Sequence, residues 1–497
     1  MGLKDNLVKK VGKSYPKMYI KLKMDDTDLA HDTIEAYDII RENNLFDDEF
    51  YLENYPKLKN TDLDLLLHYI FFGFDEGKNP NSYFDGVFYK NHYKDASKSK
   101  LNPLVHYALY GMSEKRQIAP GKADLTVFNS DKDNILYILH EKIGTVGGAS
   151  FSNLDIIRNL PGNFKPFILT SKDNQIELWT HDPSLEKIAN WNISSAEELD
   201  EIYDEILSKL NIAIVHINHL INHSFSLISK IKEKEIPYIV NIHDFYYICP
   251  SIHLIDENYN FCNFNCSNCS YDIENWQNNF HSFLKDAKYI IAPSNSVINL
   301  YKEIYPDLNN FKLIEHGRNL KKAHNLYTVP DGKVKIVVPG HISPHKGSYL
   351  IAQIKDLDLE GKIEFHFVGT QIPNLKAYGE TYGRYQREEF NCIISKIKPS
   401  YVAILSTCPE TYSYTLTESW AARIPVIATN LGALKERIEK TGGGWVLDYT
   451  SPSDIYDSIL NISKEDYLEK IENISKIEFK TVDEMVYEYN EIYKELS

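Results

Sequence analysis

The stretch over residues 406–432, STCPETYSYTLTESWAARIPVIATNLG, constrains the fold of this chain more than any other. Its pattern predicts a loop, then a helical run that ends at Ile424-Pro425, then a short apolar strand over residues 426–428. A further strand is predicted just before it, over residues 401–405. A helix between two apolar strands is typical of a parallel α/β sheet, so we expect an α/β domain here.

Two carboxylates stand eight positions apart in this stretch, Glu410 in the predicted loop and Glu418 about one turn inside the helix. Both can therefore face a ligand held at the helix start. Unpaired backbone N–H groups at a helix N-terminus favour the phosphates of a nucleotide, and carboxylates accept hydrogen bonds from sugar and ribose hydroxyls. For an isolated pair, the alternative is an ordinary helix with two solvated glutamates.

The same stretch resembles the C-terminal signature of retaining glycosyltransferases of family 4, which have the two-domain GT-B fold. The match consists of Glu410, Ser413, Glu418 and the run from Arg423 to Ala428. Ser413 and Arg423 stand where many members of the family have glycine. The resemblance implies that Glu410 binds the donor sugar, that Glu418 binds the ribose, and that the backbone after Ser413 binds the diphosphate.

The donor-binding domain is expected to begin at VKIVVPGHISPHKG, where a predicted strand over residues 336–338 leads through Gly340 to Lys346 at a helix start. Family 4 usually has an arginine and a lysine here that grip the diphosphate; His341 replaces the arginine. A solvated lysine is the alternative, but a cation is unfavourable at a helix N-terminus, which favours a bound anion. The donor-binding residues implied are Lys346, Gly340, His341, Ser413, Tyr414, Thr415, Leu416, Glu418, Gly147 and Gly148.

Polar residues follow the predicted strands of a first α/β domain, beyond the carboxyl ends where ligands bind in open sheets. A strand over residues 135–140 precedes the glycine loop that includes Gly147 and Gly148. His243-Asp244 resembles the H-D pair on the cleft wall of family 4 enzymes, which implies catalytic roles beside Glu410. His219 and Asn218 are expected on the acceptor side, and a structural role is at least as good an explanation for the neighbouring His216.

Four of the six cysteines are close together in a polar loop, with the spacing C-x12-C-x3-C-x2-C: Cys249, Cys262, Cys266 and Cys269. Four thiolates at short spacing favour a structural zinc ion, because four soft ligands close a tetrahedron. Disulfides are the alternative, disfavoured in a reducing compartment. No metal is expected in catalysis itself, since the lysine and helix N-termini would replace it.

The sequence between residues 46 and 116 repeats itself at an offset of 38 residues. Tyr51, His68 and Gly73 correspond to Tyr89, His106 and Gly111. Each unit is predicted as two short tyrosine-rich helices, with the glycine closing the second. The repeats resemble modules found beside bacterial surface-polysaccharide glycosyltransferases, which implies a partner- or polymer-binding role. A small helical core is the alternative, and it explains most of these tyrosines and histidines.

Composition limits the partners. A formal net charge of −16 argues against nucleic-acid binding, and no run of eighteen apolar residues is present for a membrane span. The first 23 residues contain seven lysines and one aspartate, and Leu3, Leu7 and Val11 are at helical spacing. A weak anchor on an anionic membrane and a solvated terminus are the two explanations. We expect a cytoplasmic protein, with the inner membrane face as the site of any such anchoring.

Together these features predict an α/β fold of the GT-B type, with two Rossmann-like domains facing a cleft, preceded by a small all-α repeat domain. The expected segments are a basic N-terminus (1–30), the repeats (31–122), the first α/β domain (130–325) with its cysteine loop (249–269), the donor domain (333–480), and a terminal helix (481–497) returning to the first domain. The expected function is retaining transfer of a hexose or deoxyhexose from a nucleotide sugar to a glycan or glycolipid acceptor. A sugar-nucleotide epimerase and a non-catalytic scaffold are the alternatives.

Overall fold

A computed structural model describes residues 13–114, 116, 118–119, 125–141, 143, 148–172, 174–182, 184–267, 269–323 and 326–497. The predicted amphipathic positions Leu3, Leu7 and Val11, and the predicted ligand Gly147, lie outside these residues. The chain divides into two compact units, one of residues 1–124 with 187–192, the other of residues 125–186 with 193–497. Among the described residues, no helix is both long and apolar enough to cross a bilayer.

The first unit is mostly helical. Its helices are α1 (Pro16–Lys23), α2 (Thr27–Glu42), α3 (Asp48–Asn54), α4 (Leu65–His68), α5 (Gly86–His92), α6 (Lys94–Lys98) and α7 (Pro103–His106). Helices α4 and α7 each continue into a π-helical turn, Tyr69–Gly73 and Tyr107–Gly111. Aspartate or asparagine side chains cap α2, α3, α4, α5 and α7 by accepting hydrogen bonds from first-turn amides, which fixes where these short helices begin.

The two halves of this unit contain the same local contact. The Tyr51 hydroxyl lies 3.0 Å from His68 Nδ1, and the Tyr89 hydroxyl lies 3.1 Å from His106 Nδ1. A Cβ added at Gly73 would lie 2.2 Å from the Tyr51 hydroxyl, and one at Gly111 would lie 2.3 Å from the Tyr89 hydroxyl. The glycines therefore make room for the tyrosine hydroxyls, and neither has the positive φ of a helix-ending glycine.

The second unit contains two sheets. Within this unit the first has the order β3-β2-β1-β5-β6-β7-β8 and is parallel from β2 through β8, with β3 antiparallel to β2. Its strands are β1 (Asp133–Leu139), β2 (Phe164–Lys172), β3 (Gln175–His181), β5 (Ile212–Ile217), β6 (Tyr238–Asn241), β7 (Tyr289–Ala292) and β8 (Phe311–Leu313). Most of strand β4 (Leu185–Asn192) belongs to the first unit. The helices between them are α8 (Gly148–Arg158), α9 (Ala196–Lys209), α10 (Ser226–Glu233), α11 (Ile273–Asp286) and α12 (Asn295–Ile304).

The second sheet is parallel throughout, in the order β11-β10-β9-β12-β13-β14. Its strands are β9 (Val334–Ile342), β10 (Ile363–Gln371), β11 (Gly379–Gly383), β12 (Tyr401–Ile404), β13 (Val426–Thr429) and β14 (Gly444–Leu447). The helices that follow are α13 (Ser348–Leu357), α14 (Phe390–Ile397), α15 (Tyr414–Ala421), α16 (Gly432–Thr441), α17 (Pro452–Asn461), α18 (Lys464–Lys476) and α19 (Val482–Leu496). Strands β12 and β13 are fully buried, which explains their uninterrupted apolar sequence.

The last helix, α19, packs on the first sheet. A capping box between Thr481 and Glu484 starts it. The hydroxyl of Tyr493 lies 2.7 Å from Nδ1 of the buried His216, and the Tyr489 hydroxyl donates to Asn241 Oδ1 at 3.2 Å. His216 is thus a core residue beneath the terminal helix.

The predicted fold class is confirmed: two mostly parallel α/β sheets follow a helical N-terminal region. The antiparallel strand β3 was not among the sequence predictions, because its short alternating pattern lies between turns and lacks the long apolar run of a central strand.

Candidate active site in the cleft between the two α/β domains

Lys346 and Glu410 meet at the carboxyl edge of the second sheet. Lys346 Nζ lies 2.6 Å from Glu410 Oε1, and the Ser406 hydroxyl donates to the same oxygen at 2.5 Å. Glu410 lies in the loop after β12, and Lys346 ends a 3₁₀ turn (Pro344–Lys346) before α13. Two residues that the sequence places 64 positions apart therefore form one ion pair.

Glycines hold both loops in place. Gly347, after Lys346, has φ +84°, and a Cβ there would lie 2.0 Å from the Leu405 carbonyl oxygen. Gly432 has φ +55°, and a Cβ there would lie 2.6 Å from the Glu410 carbonyl oxygen. Both positions demand glycine sterically, so the backbones carrying Lys346 and Glu410 are packed against fixed neighbours.

The ion pair keeps both groups charged. Burial alone would raise the pKa of Glu410. Lys346 and the Ser406 hydroxyl lower this pKa by more than burial raises it, so the net pKa lies below its usual value. Burial likewise lowers the pKa of Lys346, and the Glu410 carboxylate raises it by more, so its net pKa lies above the usual value. The site thus presents an ionised carboxylate and an ammonium group at neutral pH.

Helix α15 begins beside this pair. Its N-cap residue, Ser413, has φ +73° and makes no side-chain capping hydrogen bond to the first-turn amides. A Cβ at Gly340, whose φ is +101°, would lie 3.7 Å from Thr415 Cγ2, so the β9 loop comes close to the start of α15. The structure therefore brings Gly340, Thr415 and Lys346 to the same end of the second sheet, around a helix N-terminus.

The two positions where the sequence departs from the family's glycines both have left-handed backbone. Ser413 has φ +73° and Arg423 has φ +61°. This conformation favours glycine because a Cβ crowds the neighbouring carbonyl oxygen. At both positions this chain therefore holds a residue with a Cβ in strained backbone.

Glu418 faces an arginine of the other domain. Arg318 Nη2 donates to Glu418 Oε1 at 2.5 Å, and both side chains are about nine-tenths buried. The Arg318 guanidinium also lies over the Tyr414 ring, 4.9 Å from its centroid. Sequence analysis missed Arg318, and the nearest signal was its position directly after His316 and Gly317.

Tyr414 is enclosed by residues of the first α/β domain. The His316 ring stacks on it with centroids 5.3 Å apart, and a Cβ at Gly148 would lie 3.4 Å from the Tyr414 ring. His316 Nδ1 lies 3.0 Å from the Ser152 hydroxyl, and burial lowers the pKa of His316 well below its usual range. Gly148, at the start of α8, therefore faces α15 across the cleft.

The loop between Glu410 and Ser413 is hydrogen-bonded to the first domain. The Thr411 hydroxyl donates to the His243 carbonyl oxygen at 3.0 Å, and the Ser294 hydroxyl donates to the Thr411 carbonyl oxygen at 2.9 Å. His243 Nε2 lies 3.3 Å from Asn218 Oδ1. Burial lowers the pKa of His243 to about 4, so its imidazole is neutral at pH 7.

Asp244 and His219 form a second polar pair nearby. His219 Nδ1 accepts from the Ile221 amide at 3.0 Å, so Nε2 carries the proton and donates to Asp244 Oδ2 at 3.0 Å. His219 is only 2% exposed. With both nitrogens engaged inside the protein, this imidazole orients Asp244, and the acceptor-side location of His219 stays a prediction.

The cysteine loop crosses to the donor domain. The His253 ring stacks on the His345 ring with centroids 4.1 Å apart, and the Thr407 hydroxyl donates to the Tyr259 carbonyl oxygen. Burial, and secondarily the charge of Lys346, lower the pKa of His253. His253 was missed by sequence analysis, because a lone histidine in a polar loop carries no motif.

His341 and the four cysteines of the loop are the remaining predicted residues. His341 is exposed, and its Nδ1 lies 2.6 Å from the Thr370 hydroxyl. Cys249 is buried, Cys262 is half-buried, and Cys266 and Cys269 are exposed. In the described part of the chain, no three or more histidine, cysteine, aspartate or glutamate side chains are grouped as a metal site.

Comparison with known proteins finds a sequence similarity in the segment that forms the second sheet. Residues 333–465 match the family model described as Glycosyl transferases group 1. A curated protein of Methanocaldococcus jannaschii, named uncharacterized glycosyltransferase MJ1178, is 26% identical over 225 residues, which are 42% of this chain and 62% of that protein. The match thus spans less than two thirds of the relative's length.

Two solved structures align with the chain, and the one with the higher TM-score shows the fold. Sucrose-phosphate synthase from Thermosynechococcus elongatus aligns with a TM-score of 0.54 at 14% identity, over 73% of this chain and 99% of that one. A glycosyltransferase from Rickettsia africae aligns with a TM-score of 0.49 at 19% identity, over 74% and 99%. The second unit therefore has the GT-B fold, and its second α/β domain is similar in sequence to the group 1 glycosyltransferases.

Proposed function

We propose that this protein is a glycosyltransferase that transfers a sugar from a nucleotide donor to a glycan or glycolipid acceptor. The observation that carries the proposal is the coincidence of two findings. The segment that matches the group 1 glycosyltransferase model, residues 333–465, contains both members of the Lys346–Glu410 ion pair. That pair lies beside the α15 N-terminus, where phosphate oxygens are stabilised by backbone amides and by a fixed positive charge.

The donor would lie across this edge of the sheet. Lys346 and the amides after Ser413 would stabilise the diphosphate as negative charge develops on the leaving group. The Glu410 carboxylate, released from part of its contact with Lys346, would accept hydrogen bonds from donor sugar hydroxyls. Glu418 would accept from the ribose hydroxyls, and the neutral His243 imidazole would lie near the reacting carbon.

A nucleotide-sugar panel tests this proposal. Purified protein is incubated with UDP-, GDP- and dTDP-sugars, and release of the free nucleoside diphosphate is measured with and without candidate acceptors. Release from one donor class, lost in Glu410→Ala, supports the proposal. No release and no nucleotide binding across the panel would support the scaffold alternative instead.

Retention of configuration is the finer proposal, carried over from the resemblance of the Glu410–Glu418 stretch to retaining enzymes. In the arrangement around Lys346, the leaving diphosphate and the incoming hydroxyl would share one face of the sugar. The anomer of the product, read from the coupling constant of its anomeric proton by NMR, separates retention from inversion. A free epimerised sugar nucleotide as product would point to the epimerase alternative.

The transferred sugar is proposed to be a hexose or deoxyhexose destined for a bacterial surface polysaccharide or glycoconjugate. The helical unit, with its tyrosine-rich repeats, supports this role through its resemblance to modules beside such enzymes, and it would bind a partner protein or the polymer. Transfer rates onto short and long acceptors, compared between the parent and a variant altered at exposed Tyr83 and Tyr110, test the polymer-binding role.

A structural zinc ion in the cysteine loop is a separate proposal. Cys266 and Cys269 are mutual neighbours, since Cys269 and then Cys262 contribute, after burial, to raising the pKa of Cys266. The described side chains are not arranged as a metal site, so zinc would have to draw in the exposed thiols. Elemental analysis of the purified protein is decisive: less than stoichiometric zinc refutes this proposal and leaves the glycosyltransferase assignment untouched.

A further inference from the structure

Helix α1 and its N-cap residue, Tyr15, expose a stripe of large apolar side chains. Tyr15 is 65% exposed, Met18 is 54% exposed and Leu22 is 58% exposed. These three side chains recur at spacings of three and four residues, which places them on one face of the helix. The adjoining side of the helix is fixed to the protein, because Tyr19 and Ile20 are buried.

The contacts of that buried face orient the stripe. The Tyr19 ring packs edge-to-face on Phe71 with centroids 5.5 Å apart, and Lys17 Nζ lies 2.6 Å from Asp38 Oδ2 on α2. The helix therefore cannot turn to bury Met18 and Leu22 without breaking these contacts. Large apolar side chains held outward on a docked helix indicate a binding surface.

Lysines accompany the stripe. At 100° per residue, Lys17 and Lys21 lie on one side of Met18 and Leu22, and Lys23 follows Leu22 as the exposed last residue of the helix. Residues 13–24 hold four lysines and no carboxylate, in a chain whose formal net charge is −16. A local positive charge with an apolar centre complements a surface that is negatively charged outside and apolar beneath it.

We propose that the stripe formed by Tyr15, Met18 and Leu22, with Lys21 and Lys23, docks the protein on the surface of an anionic lipid bilayer. Met18 and Leu22 enter the boundary between headgroups and acyl chains. The lysine stems extend along the apolar surface and place their ammonium groups among the lipid phosphates. This inference is independent of the proposed function, because it concerns only the helical unit.

Vesicle flotation with the purified full-length chain tests the inference. Wild-type protein is expected to float with vesicles of phosphatidylcholine containing about 30% phosphatidylglycerol, and binding should weaken as salt rises and shortens the screening length. The double variant Lys21→Gln/Lys23→Gln should partition about 30-fold less at low salt. The double variant Met18→Ser/Leu22→Ser should lose at least about tenfold even at low salt, because apolar burial is removed.

Two matched controls make the result specific. Leu359→Ser/Tyr487→Ser removes two apolar side chains that are 93% and 62% exposed elsewhere, and Lys435→Gln/Lys464→Gln removes two exposed lysines elsewhere. Both should float like the wild type. If the stripe binds a protein instead of a membrane, the wild type will not float, and this result overturns the proposal. Equal binding to pure phosphatidylcholine, or equal losses in the controls, also overturns it, and circular dichroism verifies that each variant is folded.

Discussion

Arg318 Nη2 lies 2.5 Å from Glu418 Oε1, and this contact joins the end of the first α/β domain to helix α15 of the second. Both side chains are about nine-tenths buried. Removing one partner of a buried ion pair is strongly destabilising, because the remaining charge loses its compensation. The pair therefore couples the proposed ribose-binding carboxylate to the arrangement of the two domains.

A double-mutant cycle measures that coupling. Arg318→Met and Glu418→Gln should each lower the free energy of unfolding by about 3 kcal/mol. The double variant should lose less than the sum, leaving an interaction energy of about 1–3 kcal/mol. Chemical denaturation of the four proteins checks this, and additive losses would show that the two side chains do not stabilise each other.

The Lys346–Glu410 pair predicts a separation of turnover from folding. Glu410→Gln keeps the size of the side chain and removes its charge, so donor hydrolysis should fall at least about 100-fold while the protein stays folded. Nucleoside diphosphate binding, measured by calorimetry, should persist because Lys346 remains. Glu439→Gln, at an exposed carboxylate of α16, is the matched control. Full activity in Glu410→Gln would remove Glu410 from the mechanism.

The contacts of the cysteine loop predict an effect on donor affinity. His253 stacks on His345, next to Lys346, and Thr407 donates to the Tyr259 carbonyl oxygen. His253→Ala and Thr407→Val should raise the KM for the donor several-fold with a smaller change in kcat, because both loosen the loops that carry the ion pair. Thr407→Ser keeps the hydroxyl and should behave like the parent. A loss of kcat alone would assign these residues to the chemical step.

The sequence predicted the features that depend on residues close together along the chain. Apolar runs located the central strands, and the spacing of Glu410 and Glu418 placed one carboxylate in the loop and one inside α15. The partners of those carboxylates could not be found in this way. Arg318 lies 100 residues from Glu418, and His253 reaches His345 from another domain, so only the packing of loops from both domains brings them together.

The strained backbone at Arg423 gives a further testable prediction. Arg423 stands at φ +61°, a conformation that costs a residue with a Cβ about 1 kcal/mol or more. Arg423→Gly should therefore raise the free energy of unfolding by about 0.5–1 kcal/mol, after allowance for the greater freedom of glycine in the unfolded chain. Arg423→Ala removes the same guanidinium and keeps the Cβ, so it should give no gain. Equal stabilities of the two variants would mean that side-chain contacts outweigh the strain.

Buried histidines predict how stability depends on pH. Burial lowers the pKa of His223 to about 4, whereas an unfolded histidine titrates near about 6.5. Between these values the unfolded chain binds more protons, so the contribution of His223 to stability is present above about pH 6.5 and is lost as pH falls towards 4. His223→Gln should reduce the fall in unfolding free energy between pH 7.5 and pH 5 by about 2 kcal/mol. Tyr203→Phe removes the hydroxyl 3.2 Å from His223 Nδ1 and keeps the buried imidazole, so it should retain the parent's pH dependence. If urea unfolding gave His223→Gln the same pH dependence as the parent, this histidine would not be the buried neutral group that the structure shows.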